Sequence, residues 1–101
     1  MRVIVFFDLP SVSPSDKKAY LNFRKFLLIN GFMMMQESVY CKLTLNQTVS
    51  DSVLNSLSKN KPMNGNVQIL VITEKQFQKI VLLVGDNDNT LINTDERVLI
   101  L

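Results

Sequence analysis

Residues 2–8 read Arg-Val-Ile-Val-Phe-Phe-Asp, a short run that is apolar whichever way it is viewed. Side chains alternate across a strand, so Val3, Val5 and Phe7 line one face while Ile4, Phe6 and Asp8 line the other. A strand of this kind has to be covered on both sides. An antiparallel sheet with one face in water would show clean polar alternation instead. The run is too short for the hydrophobic region of a signal peptide and is cut by Asp8 and Pro10, so it reads as a strand. No stretch of the chain approaches the length of a membrane span.

The elements that follow set the fold. Ser13-Pro14 with Asp16 three residues after the serine starts a helix that runs to Asn30-Gly31, a stop signal. Ala19, Tyr20, Phe23, Phe26 and Leu27 form its apolar side at the 3.6-residue period, and Lys17, Lys18, Arg24 and Lys25 cluster opposite, with Leu21 and Leu28 among them. Residues 32–45 are extended by composition but too long for one strand, which predicts a kink or tight hairpin at Gln36-Glu37. Residues 46–60 form a second helix, with Thr48 and Asp51 as the expected capping pair, Val49, Val53, Leu54 and Leu57 as the buried stripe, and Lys59 and Lys61 at its end. Asn64-Gly65 is a turn, 66–73 a strand, and Thr73-Glu74-Lys75-Gln76 a capping box for one helical turn through Phe77. Residues 80–84 read as a further strand, and 97–101 as a last one beyond a polar, Asp- and Asn-rich linker.

This order is the βαββαβ arrangement of a ferredoxin-like α+β sandwich with an extra C-terminal strand. One domain is expected over 1–84, with 85–101 a linker and terminal strand. Two helices cover only one sheet face, so a second copy packed sheet to sheet is the simplest cover for the other. The strand at Val98 to Leu101 would pair with the partner chain.

Charge and chemistry narrow the function. Residues 1–80 hold ten Lys or Arg against five acids, net +5, while the tail is net −3. A basic body suits an acidic partner such as nucleic acid, although a generic soluble domain also shows a charge of this size. The single Cys41 excludes an intrachain disulfide and suits a reducing compartment, so a cytoplasmic protein is expected. The chain contains no histidine. Any metal chemistry must therefore use oxygen ligands, which points to Mg²⁺ or Mn²⁺ and away from His-ligated zinc. Asp8, at the end of the first strand, is the candidate ligand, although Asp-Leu-Pro is also ordinary turn chemistry.

The blocks Val3-Ile4-Val5-Phe6-Phe7-Asp8-Leu9-Pro10, Phe26-Leu27-Leu28-Ile29-Asn30-Gly31-Phe32, Gln36-Glu37-Ser38-Val39-Tyr40 and Thr73-Glu74-Lys75-Gln76-Phe77 occur in order over residues 1 to about 84. Together they resemble the Cas-two family of small CRISPR-associated adaptation proteins, most closely members of the subtype with a single large effector nuclease. The resemblance implies a homodimer whose two Asp8 carboxylates approach across the interface. Some members bind Mg²⁺ there and cleave RNA or duplex DNA. It also implies a central dimer that bridges two integrase dimers of the Cas-one family while a DNA fragment is captured as a new spacer. Asp8 matches the family's metal and catalytic aspartate by position.

Other residues carry competing readings. Lys17, Lys18, Arg24 and Lys25, with Lys59, Lys61, Lys75 and Lys79, could track a phosphate backbone or form solvated faces. Gln36 and Ser38 either orient the Asp8 loop or satisfy backbone groups at the kink. Tyr40 reads as core or interface, and Met33-Met34-Met35 as adaptable packing. Cys41 reads as structural. Two alternative functions remain at this level. One is a ferredoxin-like small-molecule-sensing domain, which would want a glycine-bearing ligand loop, whereas Gly31, Gly65 and Gly85 are each accounted for by turns. The other is a toxin-like ribonuclease.

Overall fold

In the computed structural model, which describes residues 1–84, the chain runs β1 (Arg2–Asp8), α1 (Pro14–Ile29), β2 (Met33–Gln36), β3 (Val39–Leu43), α2 (Gln47–Lys59), β4 (Asn66–Ile72) and a one-turn α3 (Glu74–Phe77). The strands form one antiparallel sheet in the order β2-β3-β1-β4, the ferredoxin-like topology expected from the element order. β1 is central because it hydrogen-bonds on both edges, pairing Val5 with Tyr40 of β3 and with Ile69 of β4.

Local signals explain most boundaries. Ser13 accepts from the Asp16 amide while the Asp16 carboxylate accepts from the Ser13 amide, so both partners of the capping box are made, with Pro14 in the first turn. Gly31 at φ +87° and the Phe32 amide bonded to the Leu27 carbonyl end α1. The expected hairpin lies at Glu37-Ser38, with a register irregularity between Met34 and Gln36.

One sheet face packs on α1 and α2. Val3, Val5 and Phe7 of β1 meet Phe23, Leu27, Phe32, Tyr40 and Leu57 in a single core. Phe7 is its post, edge-on to Phe23 at 5.2 Å and stacked with Tyr40 at 5.7 Å. The other face carries Ile4, Phe6 and Asp8, flanked by Val39, Cys41 and Leu43 on β3 and Leu70 and Ile72 on β4. Phe6, Leu43 and Leu70 are exposed there, whereas Ile4 and Cys41 are buried. α3 lies at its Arg2 end, where Glu74 takes the Arg2 guanidinium at 2.8 and 2.9 Å and the Phe77 ring lies 4.3 Å beneath it.

Several expectations are corrected. The cap of α2 is Asn46, extended at φ −158°, whose side chain accepts from the Val49 amide, so the Thr48–Asp51 pair falls inside the helix. Val49 is exposed and Ser50 is buried in its place, because the Ser50 hydroxyl is bonded to Thr44 at 2.7 Å beneath the sheet end. Ala19 is exposed, at the margin of the α1 stripe. Residues 80–84 are not a strand: the Ile80 amide closes on the Phe77 carbonyl as α3 ends, and no ladder is offered to the apolar run that follows among the described residues. The expected linker and terminal strand, 85–101, lie outside the described residues.

Candidate functional site

Asp8 is the last residue of the central strand, on the face turned away from α1 and α2, and exposed to solvent. Its side chain makes no hydrogen bond or ion pair among the described residues. Two neighbours fix where its backbone lies. Gly65, at φ +96°, passes so close that a Cβ there would stand 2.7 Å from the Asp8 carbonyl oxygen, and only glycine combines that φ with that approach. The β2–β3 turn is tied down from the other side: the carbonyl of Ser38, at φ +66°, accepts from the Phe7 amide at 3.0 Å. Ser38 therefore orients the strand end through its backbone, while Gln36 is exposed and paired with Val39 across the bulge.

A cleft of about 440 Å³ opens beside Asp8, between β1, α1 and the β2–β3 turn, with Ser11, Lys17, Tyr20, Glu37 and Ser38 among its walls. A smaller one of about 180 Å³ lies on the other flank, against Phe6, Asn66 and Gln68. No cluster of three or more His, Cys, Asp or Glu capable of holding a metal occurs among the described residues. One chain brings the carboxylate of Asp8, with Glu37 the other acid of the adjoining cleft. Asp8 suits a hard cation only as half a site, since Mg²⁺ keeps several waters but takes one or two carboxylates with phosphate oxygens.

Topology sorts the basic residues. α1 begins where β1 ends, and α2 ends where β4 begins opposite Asp8, so Lys17, Lys18, Lys59 and Lys61 gather at the Asp8 end of the domain. Lys75 and Lys79 belong to α3 and its exit, at the Arg2 end. Lys25 is exposed further along α1. Arg24 is half-buried and donates from Nε to the Tyr40 hydroxyl at 2.8 Å, so part of its hydrogen-bonding capacity serves the core. Sequence reasoning missed two features of the site, Glu37 in the cleft and the Gly65 approach, and one at the far end of β1, the Arg2–Glu74 pair. The Gly65 turn was visible without its contact, and residues 72 positions apart leave no local signal.

The fold is that of the ferredoxin-like domains, with a lone carboxylate at the exit of the central strand and four lysines gathered at the same end. The sequence profile described as CRISPR associated protein Cas2 matches residues 1–80, and the chain belongs to that family. A protein of Treponema denticola named CRISPR-associated endoribonuclease Cas2 is 50% identical over 101 residues, covering 100% of both chains. One of the same name from Streptococcus mutans serotype c is 44% identical over 101 residues, covering 100% of this chain and 93% of that one. The crystal structure of Streptococcus pyogenes Cas2 at pH 6.5 matches with a TM-score of 0.62 over 83% of this chain and 100% of that chain, at 14% identity, which shows the shared fold. Among the described residues no helix is long and apolar enough to cross a membrane.

Proposed function

We propose that the chain is a CRISPR adaptation subunit: a homodimer that binds duplex DNA, bridges integrase dimers of the Cas-one family during spacer capture, and carries metal-dependent endonuclease activity at its two Asp8 carboxylates. The observation that carries this reading is Asp8, exposed and without a side-chain partner among the described residues, on the same sheet face as the exposed Phe6, Leu43 and Leu70. Burying that face against a second copy would remove Phe6, Leu43 and Leu70 from water at about 25 cal/mol per Å² of apolar surface. Family membership and the names of the relatives support nuclease chemistry in a CRISPR setting.

The Asp8 side chains would hold Mg²⁺ or Mn²⁺ jointly, one from each protomer. Such an ion supplies Lewis acidity and stabilisation of developing charge on a phosphodiester. The chain's own contribution is rigidity and placement. The Ser38 carbonyl and Gly65 hold the strand end, the core residue Phe7 anchors it, and the lysines at that end attract the phosphate backbone. With no histidine in the sequence, proton transfer falls to a carboxylate or to water.

The test is Asp8→Asn, which keeps an oxygen ligand but loses the charge that offsets metal desolvation. Metal-dependent cleavage should be abolished while DNA binding, integrase association and spacer acquisition persist. Loss of acquisition with dimer and DNA binding intact would replace the scaffold reading with essential catalysis at Asp8.

A further inference from the structure

The cleft on the α1 side of Asp8 has opposed chemistry on its two walls. Lys17, from the first turn of α1, brings an ammonium group, and Glu37, from the β2–β3 turn, brings a carboxylate. They form no ion pair with each other. Tyr20, Ser11 and Ser38 line the same cleft. The helix wall and the turn wall are both referred to one residue. Phe7 donates its amide to the Ser38 carbonyl, which pins the turn, and its ring packs 5.8 Å from Tyr20, which pins the helix wall. The cleft is therefore set by the core, and its volume of about 440 Å³ falls in the range of small-molecule sites, about 300–1,000 Å³.

We infer that this cleft is a subsite for one unpaired nucleotide of a single strand beside the bond to be cut, with Lys17 taking its phosphate, Tyr20 stacking on its base, and Glu37 selecting guanine. The selection follows from hydrogen-bond arithmetic. An ionised carboxylate only accepts, and its two oxygens suit two adjacent N–H donors. Guanine offers that pair, N1–H beside the N2 amino group. Adenine and cytosine set one amino donor beside an acceptor, and uracil sets one N–H between two acceptors, so each places an acceptor lone pair against Glu37. The same charge repels phosphate, which orients the nucleotide with its anionic end toward Lys17.

The inference rests on the reading of Asp8 as the reacting centre, but its test needs neither metal nor cleavage. The wild-type chain is titrated in a metal chelator with the four ribonucleoside 5′-monophosphates, followed by calorimetry and by amide shifts of Ser38 and Leu21. Guanosine monophosphate should bind tightest and move those amides. Glu37→Gln should weaken it about tenfold, to the level of the others, while leaving uridine monophosphate unchanged. Lys17→Ala should weaken all four by a common factor. Equal binding of the four nucleotides, or a guanosine preference that survives Glu37→Gln, overturns the assignment, as does the absence of binding at millimolar concentration. Failure of the Asp8 reading alone would show in the Asp8→Asn cleavage assay and leave this ranking in place.

Discussion

Arg24 and Tyr40 meet across the α1–sheet interface, with Nε of the guanidinium donating to the phenolic oxygen at 2.8 Å. Tyr40 is 1% exposed, so its hydroxyl depends on this partner, and its ring stacks on Phe7 directly before Asp8. Arg24→Ala should cost about 1–3 kcal/mol in chemical denaturation, the penalty of an unsatisfied buried hydroxyl. Tyr40→Phe in the same background should return part of that loss. Additive effects in the double-mutant cycle would show that the contact carries no coupling.

Gly65→Ala joins two penalties at one position, a left-handed φ and a Cβ 2.7 Å from the Asp8 carbonyl oxygen. The loss should be about 2 kcal/mol or more. In a domain of this size each kcal/mol lowers the midpoint by about 4–8 °C, which a thermal melt resolves. A melt unchanged by the substitution would mean that the turn does not press on the strand end.

The Arg2 guanidinium holds the Glu74 carboxyl below its ordinary range, chiefly by hydrogen bonding, and the Arg2 pKa is raised in return. A depressed carboxylate pKa gives stability that is fully present above the unfolded value and is lost as pH falls through the folded one. The stability difference between wild type and Glu74→Gln should therefore be constant at neutral pH, shrink below the usual glutamate range, and vanish at strongly acidic pH. A difference that does not vary with pH would assign the effect to packing on Phe77.

Lysines gathered at the Asp8 end should bind the phosphate backbone, insensitive to sequence and sensitive to salt. Replacing Lys17, Lys18, Lys59 and Lys61 with alanine should lower the slope of log K against log salt for duplex DNA by about 0.9 for each phosphate that the variant no longer neutralises. Replacing Lys75 and Lys79 at the other end tests whether the DNA-binding surface is that extensive. A flat salt dependence in the wild type would remove duplex DNA from the proposal.

The elements legible in the sequence are those with local causes. β1 follows from its composition, α1 from the Ser13–Asp16 capping box and Gly31, and α3 from the box opened by Thr73. Asp8 stood out because a carboxylate closed an apolar strand. The misplaced cap of α2 turned on backbone conformation, since Asn46 is extended and Thr48 is not at the helix edge. Residues 80–84 looked like a strand because composition reports burial and not the presence of a ladder. Arg24 sits among lysines in the sequence, and only the approach of β3 to α1 separates its role from theirs. The cleft beside Asp8 was illegible because three distant segments build it.

Because Asp8 terminates the strand that both neighbouring strands and both long helices depend on, it has little freedom to open by itself. In hydrogen-exchange terms, the Phe7 amide, held by the Ser38 carbonyl, should exchange only through openings close to global unfolding, unlike the amides of α3. The backbone that carries a solvent-facing carboxylate would then share the opening free energy of the core, and shifting that backbone would require changing the stability of the whole domain.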